Sequence, residues 1–337
     1  MVKPIVTVAR PMFPEVIDRL EEHFHVVSNQ EDRAWGPQAL AGHLKGSAGL
    51  FSCGGERVDA ALLAACPQLR ICATMAVGYN NFDLDAMTVA GVLGTNAPDV
   101  LTESSADFGF ALLMATARRV CESEHYLRAG KWKAWRHDLF LGAEVHGSTL
   151  GIIGMGRIGQ AIARRGAFGF GMQVVYYNRS RLAVQTETAC RARFVAKQEL
   201  LESADHVMLV LPYSPAARHT IGASELARMK PGATLINIAR GGIVDDSALV
   251  EALRERRIAA AGLDVFEGEP KLNPGLLELP NVVLTPHIAS ATLPTRRAMA
   301  DLAADNLIGY LLRGAALTPL NPAVLGQQRP GNRKAPA

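Results

Sequence analysis

Short apolar runs alternate with stretches of helical hydrophobic spacing along the first hundred residues. Three apolar runs have the length expected of buried parallel strands, namely residues 5–8, 48–51 and 69–74. Residues 13–23 carry apolar side chains at helical spacing, and residues 58–65 also favour a helix, which ends before Pro67. This strand–helix–strand order predicts a parallel sheet covered by helices.

A second series of apolar runs begins after residue 100. A long helix is predicted to about Ala129, capped at its start by Thr102 or, as the alternative, by Ser105. Helical patterns also cover residues 159–168 and 293–312. The runs that indicate strands are residues 149–153, 173–177, 206–211, 234–238, 261–265 and 282–284. Strands joined by crossover helices predict a doubly wound sheet.

The 337 residues are too many for one average domain and suit two. We predict an α/β fold of two domains, each a parallel sheet flanked by helices: a flavodoxin-like substrate domain and a Rossmann dinucleotide-binding domain. Residues 1–99 and 292–325 are assigned to the first and residues 100–291 to the second, because Ala97-Pro98-Asp99 and residues 286–294 suit crossings between domains. Residues 326–337 are assigned to a tail, of which residues 329–337 are expected to be disordered. The cleft between the domains is the expected active site.

The overall composition excludes several classes of function. A formal net charge of +3 is small for this length and gives no reason to expect a nucleic-acid or membrane partner. No apolar run reaches the roughly 18 residues of a membrane span, and the first residues lack the apolar core of a signal peptide. The five cysteines are scattered without a CxxC pair, so we expect free thiols, no metal site and a cytoplasmic location.

A glycine-rich turn follows the first strand of the second series. Gly154, Gly156 and Gly159 have the spacing GxGxxG, directly after the apolar residues 150–153 and at the start of a helix. In that setting the first glycine permits a tight turn, the second lets the backbone approach a pyrophosphate, and the third lets helix and strand pack closely. The helix N-terminus supplies N–H groups for the phosphates. The turn therefore predicts a bound dinucleotide.

The end of the next strand indicates which dinucleotide. An NAD-binding fold usually has Asp or Glu about 20 residues after the glycines, where it binds the ribose 2′-hydroxyl. This chain has instead Asn178, Arg179, Ser180 and Arg181, with no carboxylate. Two guanidinium groups and a hydroxyl would bind a 2′-phosphate. We predict that NADP(H) is preferred, with NAD(H) as the alternative cofactor.

Three polar residues lie just beyond the ends of predicted strands, where open α/β sheets carry their ligand sites. They are Arg240, Glu269 and His287. Reduction of a 2-keto acid leaves an alkoxide that needs a proton, and histidine can donate one near neutral pH. A neighbouring carboxylate favours the imidazolium form and orients the ring. An arginine can bind the substrate carboxylate through two hydrogen bonds and polarise the carbonyl.

These motifs together resemble the D-2-hydroxyacid dehydrogenase family, over nearly the whole chain to about Pro322. The matching segments are residues 151–159, 237–242, 262–270 and 285–288. Within the family, the sequence is most similar to glyoxylate/hydroxypyruvate reductases and 2-ketogluconate reductases. The resemblance implies that Arg240 binds substrate, that His287 is the general acid/base and that Glu269 is its partner.

The resemblance also implies further contacts. It assigns Asp264 to the nicotinamide carboxamide and Thr102 to the cofactor, and it makes residues 76–81 a loop whose N–H groups bind the substrate carboxylate. The predicted substrate contacts are Val77, Gly78, Arg240 and His287. The predicted cofactor contacts are Thr102, Gly154, Gly156, Arg157, Ile158, Gly159, Asn178, Arg179, Ser180, Arg181, Leu211, Pro212, Ile238, Ala239, Asp264 and His287.

We therefore predict an NADPH-preferring reductase that converts glyoxylate, hydroxypyruvate or 2-ketogluconate to D-2-hydroxy acids. Phosphite dehydrogenase is one alternative, but relatives of that type carry a lysine where this chain has Val77, and an apolar residue suits the phosphite dianion less well. The alternative of another class is an NAD(H)-sensing protein similar to the carboxy-terminal-binding corepressors, against which the absence of their long tail argues.

The resemblance further implies a homodimer. The aromatic stretch at residues 131–141 is the predicted contact, and Trp135 or Phe140 would reach the partner's substrate pocket. The size of that pocket is expected to depend on Phe51, Met75 and Leu293.

Overall fold

The computed structural model describes residues 3–326, so most of the predicted tail, residues 327–337, lies outside the described residues. Within that range, the strands in chain order are β1 (Ile5–Val8), β2 (His25–Ser28), β3 (Gly49–Ser52), β4 (Ile71–Thr74), β5 (Leu93–Thr95), β6 (Thr149–Ile153), β7 (Gln173–Tyr177), β8 (Ala192–Phe194), β9 (His206–Leu209), β10 (Thr234–Asn237), β11 (Ala260–Leu263) and β12 (Val282–Leu284). Every pairing between these strands is parallel.

The helices surround these strands and include one π-helical turn, Arg165–Gly169. In chain order the α-helices of the described part are α1 (Pro14–Glu21), α2 (Pro37–His43), α3 (Ala60–Ala65), α4 (Leu84–Val89), α5 (Thr102–Ala117), α6 (Val120–Arg128), α7 (Arg157–Arg164), α8 (Val184–Cys190), α9 (Lys197–Ser203), α10 (Ala223–Leu226), α11 (Asp246–Arg254), α12 (Pro274–Leu277) and α13 (Leu293–Arg313).

Contacts divide the chain into two compact units. Of the described residues, the first unit contains 3–101 together with 292–326, and the second contains Thr102–Ala291. The first unit has a five-stranded sheet in the order β2-β1-β3-β4-β5, which is the flavodoxin order. Asp59 and Asp83 cap α3 and α4 through their side chains, and α13 packs against β3 and β4.

The second unit has a seven-stranded sheet in the order β12-β11-β10-β9-β6-β7-β8. Strand order reverses at β6, which is the arrangement of a Rossmann sheet with one added strand. The central strands β6, β9, β10 and β11 are almost wholly buried, because helices cover both faces of the sheet. The loops after these strands all leave the same edge.

The predicted fold class is confirmed: both units are parallel sheets flanked by helices. The predicted long helix, however, is interrupted. Arg119 adopts a left-handed conformation with φ +54°, and the Ala117 carbonyl accepts a hydrogen bond from the Ala143 N–H at 2.8 Å. The chain therefore turns between α5 and α6, where the sequence pattern indicated a continuous helix.

The five cysteines are free thiols, and three of them, Cys66, Cys72 and Cys190, are buried. Among the described residues, no helix is long and apolar enough to cross a membrane, and no group of His, Cys, Asp and Glu is arranged to hold a metal ion. The cytoplasmic location stays a prediction.

Candidate active site

The turn after β6 is shaped by two close backbone approaches. Gly154 has φ +97°, and a Cβ there would lie 2.7 Å from the backbone of Leu211. A Cβ on Gly159 would lie 2.7 Å from the carbonyl oxygen of Gly154. Any side chain at either position would push the turn away from the loop after β9 or push α7 away from β6.

Gly156 differs from the other two glycines of the turn, because apart from adjoining parts of the chain no protein atom lies within 4 Å of the Cβ it would carry. It precedes α7, which begins at Arg157 with Ile158 in its first turn. The missing side chain leaves the N-terminal end of α7 open to a close approach, as a pyrophosphate requires. The turn therefore fits a dinucleotide.

The loop after β7 is tied to the glycine turn. The Met155 N–H donates to Asn178 Oδ1 at 2.7 Å. Arg179, Ser180 and Arg181 follow and are exposed. Arg181 is bound to Glu187 of α8, with its Nε 2.9 Å and its Nη2 2.7 Å from the two carboxylate oxygens. The two arginines predicted to act alike thus have different surroundings.

The loop after β10 presents Arg240. The buried Asn237 accepts a hydrogen bond from the Ala239 N–H at 3.0 Å and donates to the Arg240 carbonyl at 3.3 Å, so its side chain holds the turn. The next residue, Gly241, lies so close to the following loop that a Cβ would be 1.7 Å from the Phe266 carbonyl oxygen. Sequence reasoning missed both contacts, although the Gly241-Gly242 pair was a visible signal.

The loops after β11 and β12 bring Glu269 and His287 together. His287 Nδ1 lies 2.9 Å from Glu269 Oε2, and the Phe266 N–H donates to Glu269 Oε1 at 2.8 Å. A carboxylate can only accept, so Nδ1 carries a proton and the proton on Nε2 can be exchanged with a substrate. The geometry of a histidine oriented by a carboxylate is present.

A third residue, Asp264, contributes to the arrangement of His287 and Glu269. It follows β11 directly and is fully buried. Its Oδ1 accepts hydrogen bonds from Thr285 Oγ1 at 2.7 Å and the Ile288 N–H at 2.8 Å, and its Oδ2 accepts one from the Ala289 N–H at 2.9 Å. Its backbone carbonyl also accepts from the His287 N–H at 2.9 Å. Asp264 therefore holds the loop that carries His287, a contact that strand-end spacing alone did not indicate.

Electrostatics agree with this geometry. Burial by itself raises the pKa of Glu269, but hydrogen bonds from His287 and Phe266, and the charge of Arg240, bring the pKa below its ordinary value. Burial lowers the pKa of Arg240, and the charge of Glu269 opposes that effect. Arginine stays ionised under such shifts, so the site holds a carboxylate and a guanidinium near neutral pH.

A second buried carboxylate, that of Asp246, binds the backbone of the loop after β11. Asp246, the first residue of α11, accepts a hydrogen bond from the Glu267 N–H at 3.1 Å. Burial, followed by the nearby charges of Glu267 and Asp245, raises the pKa of Asp246 from 3.8 to about 6, although the Glu267 N–H and His219 oppose the shift. Ionised Asp246 therefore destabilises the folded state above pH 6, and this cost disappears as the pH falls from about 6 towards the unfolded value near 3.9.

We expect Asp246→Asn to stabilise the protein at pH 8, by up to about 3 kcal/mol for a shift of roughly two pKa units, because the amide keeps the acceptor and removes the charge. The difference in the free energy of unfolding between Asp246→Asn and the wild type should become smaller as the pH falls to 5. Urea unfolding at pH 8, 6 and 5 measures it. Asp85→Asn, an exposed aspartate in the first turn of α4, is the matched control. A gap that does not change with pH would contradict the argument.

The other predicted residues lie in both units. In the second unit, α5 begins at Thr102, Leu211 and Pro212 follow β9, and Ile238 and Ala239 are buried after β10. In the first unit, the loop after β4 carries Val77 and Gly78. Asn96 Nδ2 donates to the Val77 carbonyl at 2.8 Å, while the Val77 and Gly78 N–H groups donate to no acceptor within residues 3–326.

The two aromatic residues predicted to reach a partner differ. Phe140 packs edge-on against Tyr126 with ring centroids 5.1 Å apart, and the Arg119 guanidinium lies over its ring. Trp135 is 79% exposed. Phe51 and Met75 are buried in the first unit, and Leu293 is exposed at the start of α13.

A Rossmann sheet with a glycine turn after its first strand defines the class of dinucleotide-binding proteins. The polar groups at the ends of β10, β11 and β12 lie at the sheet edge where such proteins carry their reactive groups.

Comparison with known proteins identifies the family. The profile of the "D-isomer specific 2-hydroxyacid dehydrogenase, NAD binding domain" family matches residues 110–289. The glyoxylate reductase of Thermococcus gammatolerans is 45% identical over 335 residues, covering 98% of this chain and 100% of that protein. The chain therefore belongs to the D-2-hydroxyacid dehydrogenase family and is an oxidoreductase of the class that acts on CH–OH groups.

Two solved structures are similar over nearly their whole length. The TT0316 protein of Thermus thermophilus is 41% identical, with a TM-score of 0.86, and the match covers 94% of this chain and 99% of that one. The NADPH-dependent glyoxylate/hydroxypyruvate reductase of Sinorhizobium meliloti, solved with NADP and malonate, is 34% identical. Its TM-score is 0.85, with 97% of this chain and 99% of that one covered.

Proposed function

We propose that the protein is an NADPH-preferring reductase of small 2-keto acids, with glyoxylate, hydroxypyruvate and 2-ketogluconate as candidate substrates and D-2-hydroxy acids as products. The observation that carries the proposal is the His287–Glu269 pair, 2.9 Å apart, at the same sheet edge as Arg240 and the glycine turn. The names of the similar proteins, glyoxylate reductase and glyoxylate/hydroxypyruvate reductase, support the same class of substrate.

Each residue of the site has one chemical task in this proposal. Arg240 binds the substrate carboxylate and polarises the carbonyl, because its planar guanidinium matches a carboxylate with two hydrogen bonds. His287 donates a proton from Nε2 to the carbonyl oxygen and removes it in the reverse direction. Glu269 fixes the ring and stabilises the imidazolium, and Asp264 holds the loop of His287.

The glycine turn, Arg157 and Ile158 of α7, and the residues that follow β7, β9 and β10 would hold the dinucleotide. A reduced nicotinamide dinucleotide, when bound, supplies hydride for the keto carbon. The N–H groups of Val77 and Gly78 are proposed to bind the substrate carboxylate as well.

The preference for NADPH rests on the end of β7. None of the four residues directly after this strand carries a carboxylate, and Arg179 and Ser180 are exposed there, so a 2′-phosphate would meet a guanidinium and a hydroxyl instead of a like charge. The similar reductase from Sinorhizobium meliloti is described as NADPH-dependent and was solved with NADP.

A panel of kcat/KM values tests the proposal. The keto acids are glyoxylate, hydroxypyruvate, 2-ketogluconate and pyruvate, each assayed with NADPH and with NADH. Phosphite, which would be oxidised, is assayed with NADP and with NAD. We expect the protein to reduce at least one of glyoxylate, hydroxypyruvate and 2-ketogluconate, with a higher kcat/KM with NADPH than with NADH. Higher activity on phosphite would favour the alternative of a phosphite dehydrogenase, and tight cofactor binding with negligible turnover would favour the corepressor-like alternative.

We also propose a homodimer whose contact includes the segment after α6. Its exposed apolar side chains would be covered by a second copy, and Trp135, not Phe140, would reach the partner because Phe140 packs on its own subunit. The exposed apolar residues of this segment are Trp132, Trp135 and Leu141, and Val120 and Leu127 of α6 are exposed beside it. Sedimentation of the wild type and of Trp135→Ser measures this contact.

A further inference from the structure

A buried carboxylate lies beneath the loop that follows β7. Glu187 of α8 is only 7% exposed, and a charge removed from water in this way needs hydrogen-bonding partners. Glu187 Oε1 accepts from Tyr176 Oη at 2.7 Å and from Arg181 Nε at 2.9 Å. Glu187 Oε2 accepts from Arg181 Nη2 at 2.7 Å. The arginine and the carboxylate therefore form a bidentate pair on a fully buried tyrosine.

The same tyrosine fixes the backbone of the loop. Tyr176 Oη accepts a hydrogen bond from the Leu182 N–H at 2.9 Å, while Asn178 anchors the start of the loop to Met155. The loop is thus fastened on both sides of Arg179 and Ser180. The hydrogen bonds from Arg181 and Tyr176 lower the pKa of Glu187 to about 2, so the pair stays ionised at neutral pH.

Because of this pairing, only one of the two arginines of the loop has its charge compensated by a carboxylate. The Arg181 charge is compensated by Glu187, whereas Arg179 has no ion pair within residues 3–326. A 2′-phosphate is attracted by the uncompensated guanidinium far more than by the one already bound to a carboxylate.

We propose that Glu187 and Tyr176 are positioning residues for cofactor selectivity: Tyr176 holds Glu187, and Glu187 binds Arg181 as a support of the loop, so that Arg179 and Ser180 are the groups that contact the 2′-phosphate. This inference rests on the proposed NADPH preference. It differs from a clamp of two equivalent arginines, because in that arrangement Glu187 would compete with the phosphate for Arg181.

The two arrangements predict opposite effects of Glu187→Gln on the NADPH-over-NADH ratio of kcat/KM. If Glu187 positions the loop, we expect the ratio to fall about threefold to tenfold, with Arg181→Ala giving a similar fall and the double variant little more, as coupled neighbours do. Arg179→Ala should lower the ratio about tenfold to a hundredfold. For Glu187→Gln, kcat at saturating cofactor should stay near that of the wild type.

The control is Glu199→Gln, which breaks the exposed pair of Arg193 and Glu199 in the same unit and should leave the ratio unchanged. Tyr176→Phe keeps the ring, removes the hydroxyl and should lower the ratio as Glu187→Gln does. A ratio that rises or stays constant in Glu187→Gln, while Arg181→Ala lowers it as much as Arg179→Ala, would overturn the inference. A wild type that prefers NADH would instead contradict the proposed function. In that case the coupling of Arg181 and Glu187 can still be measured, as the difference between the effect of the double variant on NADH affinity and the sum of the effects of Arg181→Ala and Glu187→Gln.

Discussion

Replacing His287 by asparagine is expected to lower kcat for keto-acid reduction by about 10²- to 10⁴-fold, the usual contribution of a positioned general acid. Asparagine is the suitable substitution because His287 has φ +55°, a conformation that asparagine adopts more easily than most residues. The loop should therefore keep its hydrogen bonds to Asp264. The proton donor is lost, while the glycine turn and the loops after β7, β9 and β10, which would hold most of the dinucleotide, are unchanged.

The measurement is kcat together with the dissociation constant of NADPH, obtained from fluorescence titration. His219→Asn is a matched control, because His219 is another histidine with positive φ (+52°) and also lies beside a carboxylate, 3.1 Å from Glu267 Oε2. We expect the control to stay within a few-fold of the wild-type kcat. If His287→Asn kept a near-wild-type kcat, the assignment of His287 as general acid/base would be wrong.

The limits of sequence-based prediction in this fold follow from where strands sit in a sheet. The strands that the pattern missed are β2, β5 and β8, and each lies at the edge of its sheet. An edge strand pairs on one side only, and β2 and β8 are also partly exposed, so they lack the continuous apolar run of a central strand. β5 is buried but has only three residues, which is too short for a recognisable apolar run. β8 has three residues, of which one is buried. The central strands, buried on both faces, were predicted within two residues of their observed ends.

The candidate site also has features that the sequence predicts and features that it does not. The positions of Arg240, Glu269 and His287 beyond strand ends are visible in the sequence, because parallel strands bring such residues to one edge. The hydrogen bonds that hold them are not visible. Asp264 binds residues more than twenty positions away, and the pairing of Arg181 with Glu187 depends on the hydrogen bond that ties Glu187 of α8 to Tyr176 of β7. These contacts arise from tertiary structure, which local patterns do not encode.

One tertiary contact governs the relation between the Arg240 and Glu269 loops. Gly241 follows Arg240 directly, and the atoms nearest its missing side chain all belong to the other loop. A Cβ would lie 1.7 Å from the Phe266 carbonyl oxygen, 2.3 Å from the Phe266 carbonyl carbon and 2.9 Å from the Glu267 nitrogen. All three are backbone atoms, so no side-chain rotation relieves the overlap, and the two loops have to move apart by more than 1 Å.

Gly241→Ala should therefore separate the guanidinium of Arg240 from the His287–Glu269 pair. Because a displacement of about 1 Å can cost 10²-fold in rate, we expect kcat/KM for the keto acid to fall at least about a hundredfold, with the affinity for NADPH much less affected. Gly232→Ala is the control, since Gly232 has open space around its Cβ and no positive φ. Retained NADPH binding separates this local effect from loss of the fold. If Gly241→Ala bound NADPH normally and kept kcat/KM within about threefold of wild type, close contact between these loops would not be what aligns Arg240 with His287.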